Sequence, residues 1–341
     1  MFSDFSSLAL VGAGAAAALV ILFAGMRMTG LADRISDRTG LGEAVVGGVL
    51  LGAATSVSGV MVSLTSALDG RASLAFSNGV GGIAAQTAFL ALADTIYRRA
   101  NLEHAAAELA NVYQCGMLIL LLAIPLAATT MPDVTIWAIH PASFVIPAVY
   151  VLGVVSTSRL REEPMWRPVD TPETREDTPD EGDEPDKPAR GLIALFLLLM
   201  LALGGAGWLL AQVGGEVVDR FDLSATVVGA LMTAVVTSLP ELVTTLAAVR
   251  RGALQLAVGG IIGGNTFDTI FLTISDVGYR DGSLYHSITQ DDVFWVSTGL
   301  VMSAILLLGL IYRERQGPGG IGGESLALLG VYFGAIALSS F

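Results

Sequence analysis

Residues 41–98 recur without a gap at 223–280, 182 positions later, and both copies lie in apolar runs long enough to cross hydrocarbon. Eighteen of the 58 paired positions are identical. They include Val45-Val46-Gly47 over Val227-Val228-Gly229, Thr55-Ser56 over Thr237-Ser238, and Gly81-Gly82 over Gly263-Gly264. The match closes with Asp94, Tyr97 and Arg98 over Asp276, Tyr279 and Arg280. A bias toward Gly, Ala and Val does not by itself produce a register that keeps Asp, Tyr and Arg in place.

The chain is 53% hydrophobic and 14% charged, with a mean hydropathy of +0.68, which excludes a soluble domain. Ten spans are expected, at about 8–29, 41–68, 73–97, 105–130, 134–157, 191–213, 223–249, 254–277, 292–312 and 323–341. The first run follows acidic residues and shows no cleavage site, so it is read as a retained span. Five spans per half is an odd number, so the halves cross the bilayer in opposite senses. The expected fold is therefore an all-α integral membrane protein of ten transmembrane helices, arranged as two inverted five-helix repeats. The repeats occupy 1–157 and 191–341. Between them, 158–190 is rich in Pro, Asp, Glu and Thr and reads as a loosely ordered, acidic cytoplasmic tether.

The basic residues fit this count. With the N-terminus outside, 15 of the 18 Lys and Arg fall on the inner side and only Arg71, Arg220 and Arg280 outside. Both termini are then outside, and short loops in a compact chain suggest a prokaryotic inner membrane. Cys115 is alone and the three histidines, His104, His140 and His286, are scattered, which argues against a disulfide or a zinc site. A net charge of −13 offers nothing to nucleic acid. No His-Glu-x-x-His, Gly-x-Ser-x-Gly or Walker pattern occurs, so neither an enzyme nor an ATP-driven pump is expected.

The chemistry concentrates in the second repeat. Pro240 removes a backbone donor just before Glu241, in the run Thr237-Ser238-Leu239-Pro240-Glu241. The freed carbonyls, the Thr237 and Ser238 hydroxyls and the Glu241 carboxylate are hard oxygen ligands suited to Na⁺ or Ca²⁺. Asn265 and Asp268 stand three apart on the next span and share one face. Gly259-Gly260 and Gly263-Gly264 give that span a small-residue surface for close helix approach. A carboxylate at mid-bilayer depth costs about 2.5–3.5 kcal/mol on the lowest scales, so it implies function. Inverted repeats place such sites near the midplane, where interrupted helices meet.

Thr237-Ser238-Leu239-Pro240-Glu241, then Arg250-Arg251-Gly252, then Gly263-Gly264-Asn265-Thr266-Phe267-Asp268 resembles the second α-repeat of the cation/Ca²⁺ exchanger superfamily, which includes the sodium/calcium exchangers. The resemblance implies two mobile helices, here spans 1 and 6, sliding against an eight-helix core. It also implies a cation site built by spans 2, 3, 7 and 8 that opens alternately to each side. Carried over by position, Glu241 is the central carboxylate, Thr237 and Ser238 supply oxygen ligands, and Asn265 matches the Asn or Asp of the eighth span. The 27-residue step from Glu241 to Asp268 resembles the K⁺-dependent branch.

The first repeat departs from the pattern. Thr55 and Ser56 remain, but Ser58-Gly59 stands where the second repeat has Pro240-Glu241, and Ile83 stands opposite Asn265. Gln86 aligns with Asp268. The ligands expected from this half are Thr55, Ser56, Ser58, Ser77, Asn78 and Gln86, all neutral. With Glu241, Asp268 and Asn265 as the expected metal-facing residues, the site carries at most −2. The expected function is secondary active antiport of Ca²⁺ or another cation against Na⁺, K⁺ or H⁺, with the ions as cargo, no cofactor, and the lipid bilayer as the other partner. The alternative is a non-transporting or cation-sensing membrane protein that kept the fold after losing the first carboxylate. Oligomeric state is left open.

Several other residues carry plain expectations. Asp94 and Asp276 are read as pairing with Arg98 and Arg280 on the next turn. Glu43 is read as interfacial. Glu108, Asn111 and Gln114 share one side of span 4, as a vestibule lining or a polar patch. Asp291 and Asp292 are expected outside, where they attract cations weakly, and Trp137, Trp208 and Trp295 are expected to anchor span ends.

Overall fold

The computed structural model describes residues 6–39, 52–97, 99–106, 108–174, 189–317 and 320–339. The long helices are α1 (Ser7–Thr39), α2 (Gly52–Leu68), α3 (Ala72–Ile96), α4 (Leu109–Ala128), α5 (Ala142–Glu162) and α6 (Ala189–Phe221). They are followed by α7 (Ala225–Thr237 and Leu239–Arg251), α8 (Leu254–Gly278), α9 (Gln290–Tyr312) and α10 (Gly323–Leu338). Seven of these are long and apolar enough to cross a membrane, and the bent α7 makes an eighth. The described part of α2, and α10, are shorter apolar helices. Large apolar side chains such as Phe23, Leu201, Leu152, Leu308 and Phe333 point outward, as a bilayer requires and water does not. The protein is an all-helical integral membrane protein.

Burial separates the helices by role. The most apolar window of α3 is 78% buried against 22% for α1 and 28% for α6, so α3 is the central post and α1 and α6 form an outer pair. A helix made of Ala, Gly and small polar residues on every face suits that central place, because it admits neighbours all round. The main core joins α3 with α4, α5, α9 and α10, and a separate cluster joins α1 to α6.

The 182-residue register reappears in contacts between residues that are mostly not identical. Asp94 accepts backbone N–H bonds from Leu102 and Gly322, and Asp276 accepts them from Leu284 and His140, all at 2.8 Å. Ser143 donates to Asp276 and meets Tyr285, while its counterpart Ser325 reaches Glu103 and Asp94. His104 bonds the Arg313 carbonyl and His286 the Met131 carbonyl. Two glycines on the outer pair repeat the pattern: a Cβ on Gly25 would fall 2.5 Å from the Pro240 ring, and one on Gly207 2.5 Å from the Ser58 carbonyl. Each pair is the other shifted by 182.

These contacts correct several expectations. Asp94 and Asp276 both tie down turns, and among the described residues Asp276 does so instead of pairing with Arg280. Arg280 donates to the Val277 and Trp137 carbonyls, and Arg98 lies outside the described residues. Helix α5 starts at Ala142, not 134, because Trp137 and Ala138 take positive φ and Ile136 bridges Ile139. Helix α6 runs on to Phe221, with Arg220 bonding Glu216 one turn back. Trp295 lies in the second turn of α9 but is fully buried, and Trp208 lies inside the lengthened α6, so neither is an exposed anchor at a helix end; Trp137 is exposed beside one. Asp292 is buried in a capping box with Thr289 and bonds Thr226, so it does not face outer ions. Glu108 pairs with Arg161, and Asn111 is buried where Gly259 leaves room for it. Within the acidic segment, Val169 and Thr171 are held against Arg313 and His104. Residues 175–188, and Glu43 with the first part of the second expected span, lie outside the described residues.

Candidate functional site

Pro240 acts where the sequence places it. The two parts of α7 meet at Ser238 with a bend of 46°, and Glu241 lies in the first turn of the second part. An N-terminal first turn exposes backbone donors and carries a positive partial charge, a favourable place for a carboxylate. Helix α8 has a matching irregularity, a turn at Thr269 immediately after Asp268.

These two breaks face α2 and α3 across a small cavity with about 200 Å³ of empty volume, part of it open to solvent. Helix α2 lines it with Ser56 and Gly59, and α3 with Asn78, Gly82 and Gln86. Thr237, Ser238 and Glu241 line it from α7, and Asp268 and Phe271 from α8. The Asp268 carboxylate is held on both oxygens: Ser56 Oγ donates to Oδ1 at 2.8 Å and Gln86 Nε2 to Oδ2 at 2.7 Å. Gln86 also reaches Ser238 Oγ at 3.3 Å. Glu241 takes a hydrogen bond from Thr55, but its Oε2 is buried without a protein partner, as is Gln86 Oε1.

Glu241 and Asp268 are 7% and 3% exposed. Among the described residues no Lys or Arg pairs with either. Two ionised carboxylates together in low dielectric cost several kcal/mol each unless a cation or proton joins them. The remaining groups fit a hard cation: two carboxylates, hydroxyl oxygens of Thr237 and Ser238, and an amide oxygen with no other partner.

The expected residues divide into two sets. Thr55, Ser56, Asn78, Gln86, Thr237, Ser238, Glu241 and Asp268 come together. Asn78 lines the wall while bonding Ser63, the Gly59 carbonyl and Thr233. Asn265 is off the wall and donates to Thr87 Oγ1 at 2.9 Å, leaving its Oδ1 buried without a partner. Ser58 packs on α6 at Gly207, and Ser77 bonds its own helix against Gly229. Gly59 was singled out only as the place of the missing carboxylate, and nothing in their chemistry marked Gly82 or Phe271 as wall residues. Gly82 faces Ser238 and Asp268, where a Cβ would make ordinary contact with their oxygens at 3.5 Å and 3.7 Å. The available signal for Phe271 was its identity with Phe89 in the repeat alignment.

The pattern of the sodium/calcium exchanger protein family matches residues 9–161 and 191–341, nearly the whole chain. The chain is 39% identical over 94 residues to the sodium/calcium exchanger MaX1 of Methanosarcina acetivorans, and 34% identical over 105 residues to the inner membrane protein YrbG of Escherichia coli. Those segments cover 28% and 30% of this chain, but only 25% and 31% of the relatives' own lengths. Among solved structures the fold is similar to the sodium-calcium exchanger NCX_Mj, soaked with Na⁺ and Sr²⁺. That comparison gives a TM-score of 0.61 at 17% identity over 97% of this chain and 99% of the other. It is also similar to native YfkE, with a TM-score of 0.65 at 12% identity over 99% and 96%.

Proposed function

The chain belongs to the sodium/calcium exchanger protein family, and from that premise we propose that it is a secondary active cation antiporter whose cargo binds between Glu241 and Asp268. Its architecture is read as ten spans in two inverted five-helix repeats, at 1–157 and 191–341, joined by the cytoplasmic segment 158–190. Both termini lie outside, and the membrane is a prokaryotic inner membrane. The observation that carries the transport reading is the buried pair of carboxylates with no basic partner among the described residues; both line a small cavity, and Glu241 keeps an unpartnered oxygen. Cations with hard-oxygen preference, Ca²⁺, Na⁺ or K⁺, suit these ligands.

Alternating access follows from the packing. Helices α1 and α6 touch each other and meet the site helices through glycines, Gly25 on Pro240 and Gly207 on Ser58. Glycine contacts present a smooth, knob-free surface, so the pair can slide and expose the cavity to either side. Charge balance supplies the coupling: two carboxylates favour a loaded site over an empty one, so one ion leaves when another replaces it.

Purified protein in liposomes tests this. Ca²⁺, Na⁺ or K⁺ flux should appear only when an opposing gradient of another of these ions, or of H⁺, is imposed, and should vanish in Glu241→Gln. Flux unchanged in that variant would refute the reading. The neutral residue at position 59 favours a second reading, a cation-sensing protein; its signature is cation-induced thermal stabilisation with no flux under any gradient.

A further inference from the structure

We propose that Phe271 limits the site to a single hard cation, because its ring fills the volume where the first repeat's counterpart of Glu241 would carry a carboxylate. This deepens the cation-site reading above and rests on it. Gly59 is that counterpart, 182 positions before Glu241. A Cβ built on Gly59 would lie 2.5 Å from Phe271 Cε2 and 2.9 Å from Cζ, so the ring edge already occupies the start of any side chain there. Gly79 flanks Phe271 on α3, where a Cβ would make ordinary contact with Phe271 Cβ at 3.4 Å.

The ring is held in place. Phe271 is 3% exposed and packs edge-to-face on Phe267 at 6.4 Å, which in turn packs on Tyr150 of α5 at 5.9 Å. Swinging aside would break its edge-to-face contact with Phe267. The arrangement is one-sided. Phe89 is the identical residue in the other repeat, yet it packs against the main core and does not line the cavity. On the second-repeat side Glu241 itself lines the cavity. The pseudo-symmetric pair of subsites is thus reduced to one wet half and one hydrocarbon half.

The consequence is a site whose charge comes from α7 and α8 alone. The first repeat contributes neutral partners, Thr55 to Glu241, and Ser56 and Gln86 to Asp268. A second cation would have to sit against the Phe271 ring edge, which carries positive partial charge and offers no lone pair.

The test uses the full chain purified in detergent, with Gly59→Glu, Phe271→Ala and the two combined, titrated calorimetrically with Ca²⁺ and with Na⁺. The wild type should bind one cation per chain. Gly59→Glu alone should not tighten binding, whereas the double variant should bind Ca²⁺ about tenfold or more tightly and accept one more Na⁺. Equal tightening by Gly59→Glu without the Phe271 change, or none in the double variant, overturns the proposal. Because Gly59→Glu can fail to fold, thermal midpoints of Gly59→Ala, Phe271→Ala and their combination provide an independent reading. Gly59→Ala should lower the midpoint in the wild type and leave it unchanged in the Phe271→Ala background, and additive effects would overturn the occlusion. A wild type that binds a cation while the two changes act additively refutes this inference alone. A wild type that binds none refutes the cation-site reading on which it rests.

Discussion

Replacing Glu241 by Gln should have opposite effects on the empty and the loaded protein. In the empty state the carboxylate is 7% exposed, with one oxygen unpartnered and Asp268 as its charged neighbour. Removing the charge relieves burial and repulsion, so the cation-free variant should be as stable as the wild type or more stable. In the loaded state the same change removes one of two ligand charges. Breaking one partner of a buried charge pair costs about 3–5 kcal/mol, and each 1.4 kcal/mol is tenfold, so affinity should fall by roughly two to three and a half powers of ten. The assay is a thermal midpoint read against cation concentration. At 100 times the dissociation constant, binding adds about 2.7 kcal/mol. With an unfolding entropy of about 2 cal/mol/K per residue, that raises the midpoint of a chain this long by about 4 °C. The wild type should show that rise with its cargo cation, and Glu241→Gln should show less than about 1 °C at the same concentration. An equal rise in both proteins, or a marked loss of stability in the empty variant, would refute the reasoning.

Three further outcomes follow from the geometry. Asp94→Ala and Asp276→Ala should each leave at least two buried N–H groups without an acceptor and destabilise by about 1–3 kcal/mol per group, and a similar fall in thermal midpoint for both would reflect their matched partners. Burial, and then the charges of Asp94 and Glu324, push the Glu103 carboxyl up to about 8 from 4.5. The folded chain then holds a proton there that the unfolded chain has lost, so stability falls as pH rises from about 4.5 to 8, by up to about 1.4 kcal/mol per pH unit. Glu103→Gln should flatten denaturation midpoints across that window, and an unchanged slope would show that Glu103 is not the source. Gly25→Ala and Gly207→Ala should each slow gradient-driven flux at least about tenfold, as expected if sliding of the outer pair is gating, because their added methyls meet Pro240 and Ser58; normal flux in both would exclude that motion.

Much of this was legible along the chain because a bilayer leaves few options for backbone. Apolar runs foretold the helices, and Pro240 foretold the bend at Ser238. The repeat register extends to partners that the sequence reading did not name: His140 and Gly322 are unlike residues, yet each offers its N–H to the equivalent aspartate. What stayed hidden was set by neighbours distant in sequence. Asp276 looked like a helix-face ion-pair partner because Arg280 follows one turn later, but its carboxylate takes N–H groups from Leu284 and from His140, 136 positions away. The apolar stretch 134–141 looked like helix and turns out as a loop, since Trp137 and Ala138 adopt left-handed backbone before Pro141. At the site, Glu241 and Asp268 announced themselves by charge. Phe271 could not, because a phenylalanine in an apolar helix carries no mark that its ring closes half a cation site.

The most direct test is to locate the cation itself. Crystals of the full chain soaked in Sr²⁺, standing for Ca²⁺, and separately in Tl⁺, standing for K⁺ or Na⁺, should show one anomalous peak. It should lie within about 2.4–3 Å of a Glu241 carboxylate oxygen, with Asp268, Thr237 or Ser238 completing the shell. No peak in that cavity under conditions that load the protein, or a peak held by residues elsewhere, would contradict a transport site centred on Glu241 and Asp268.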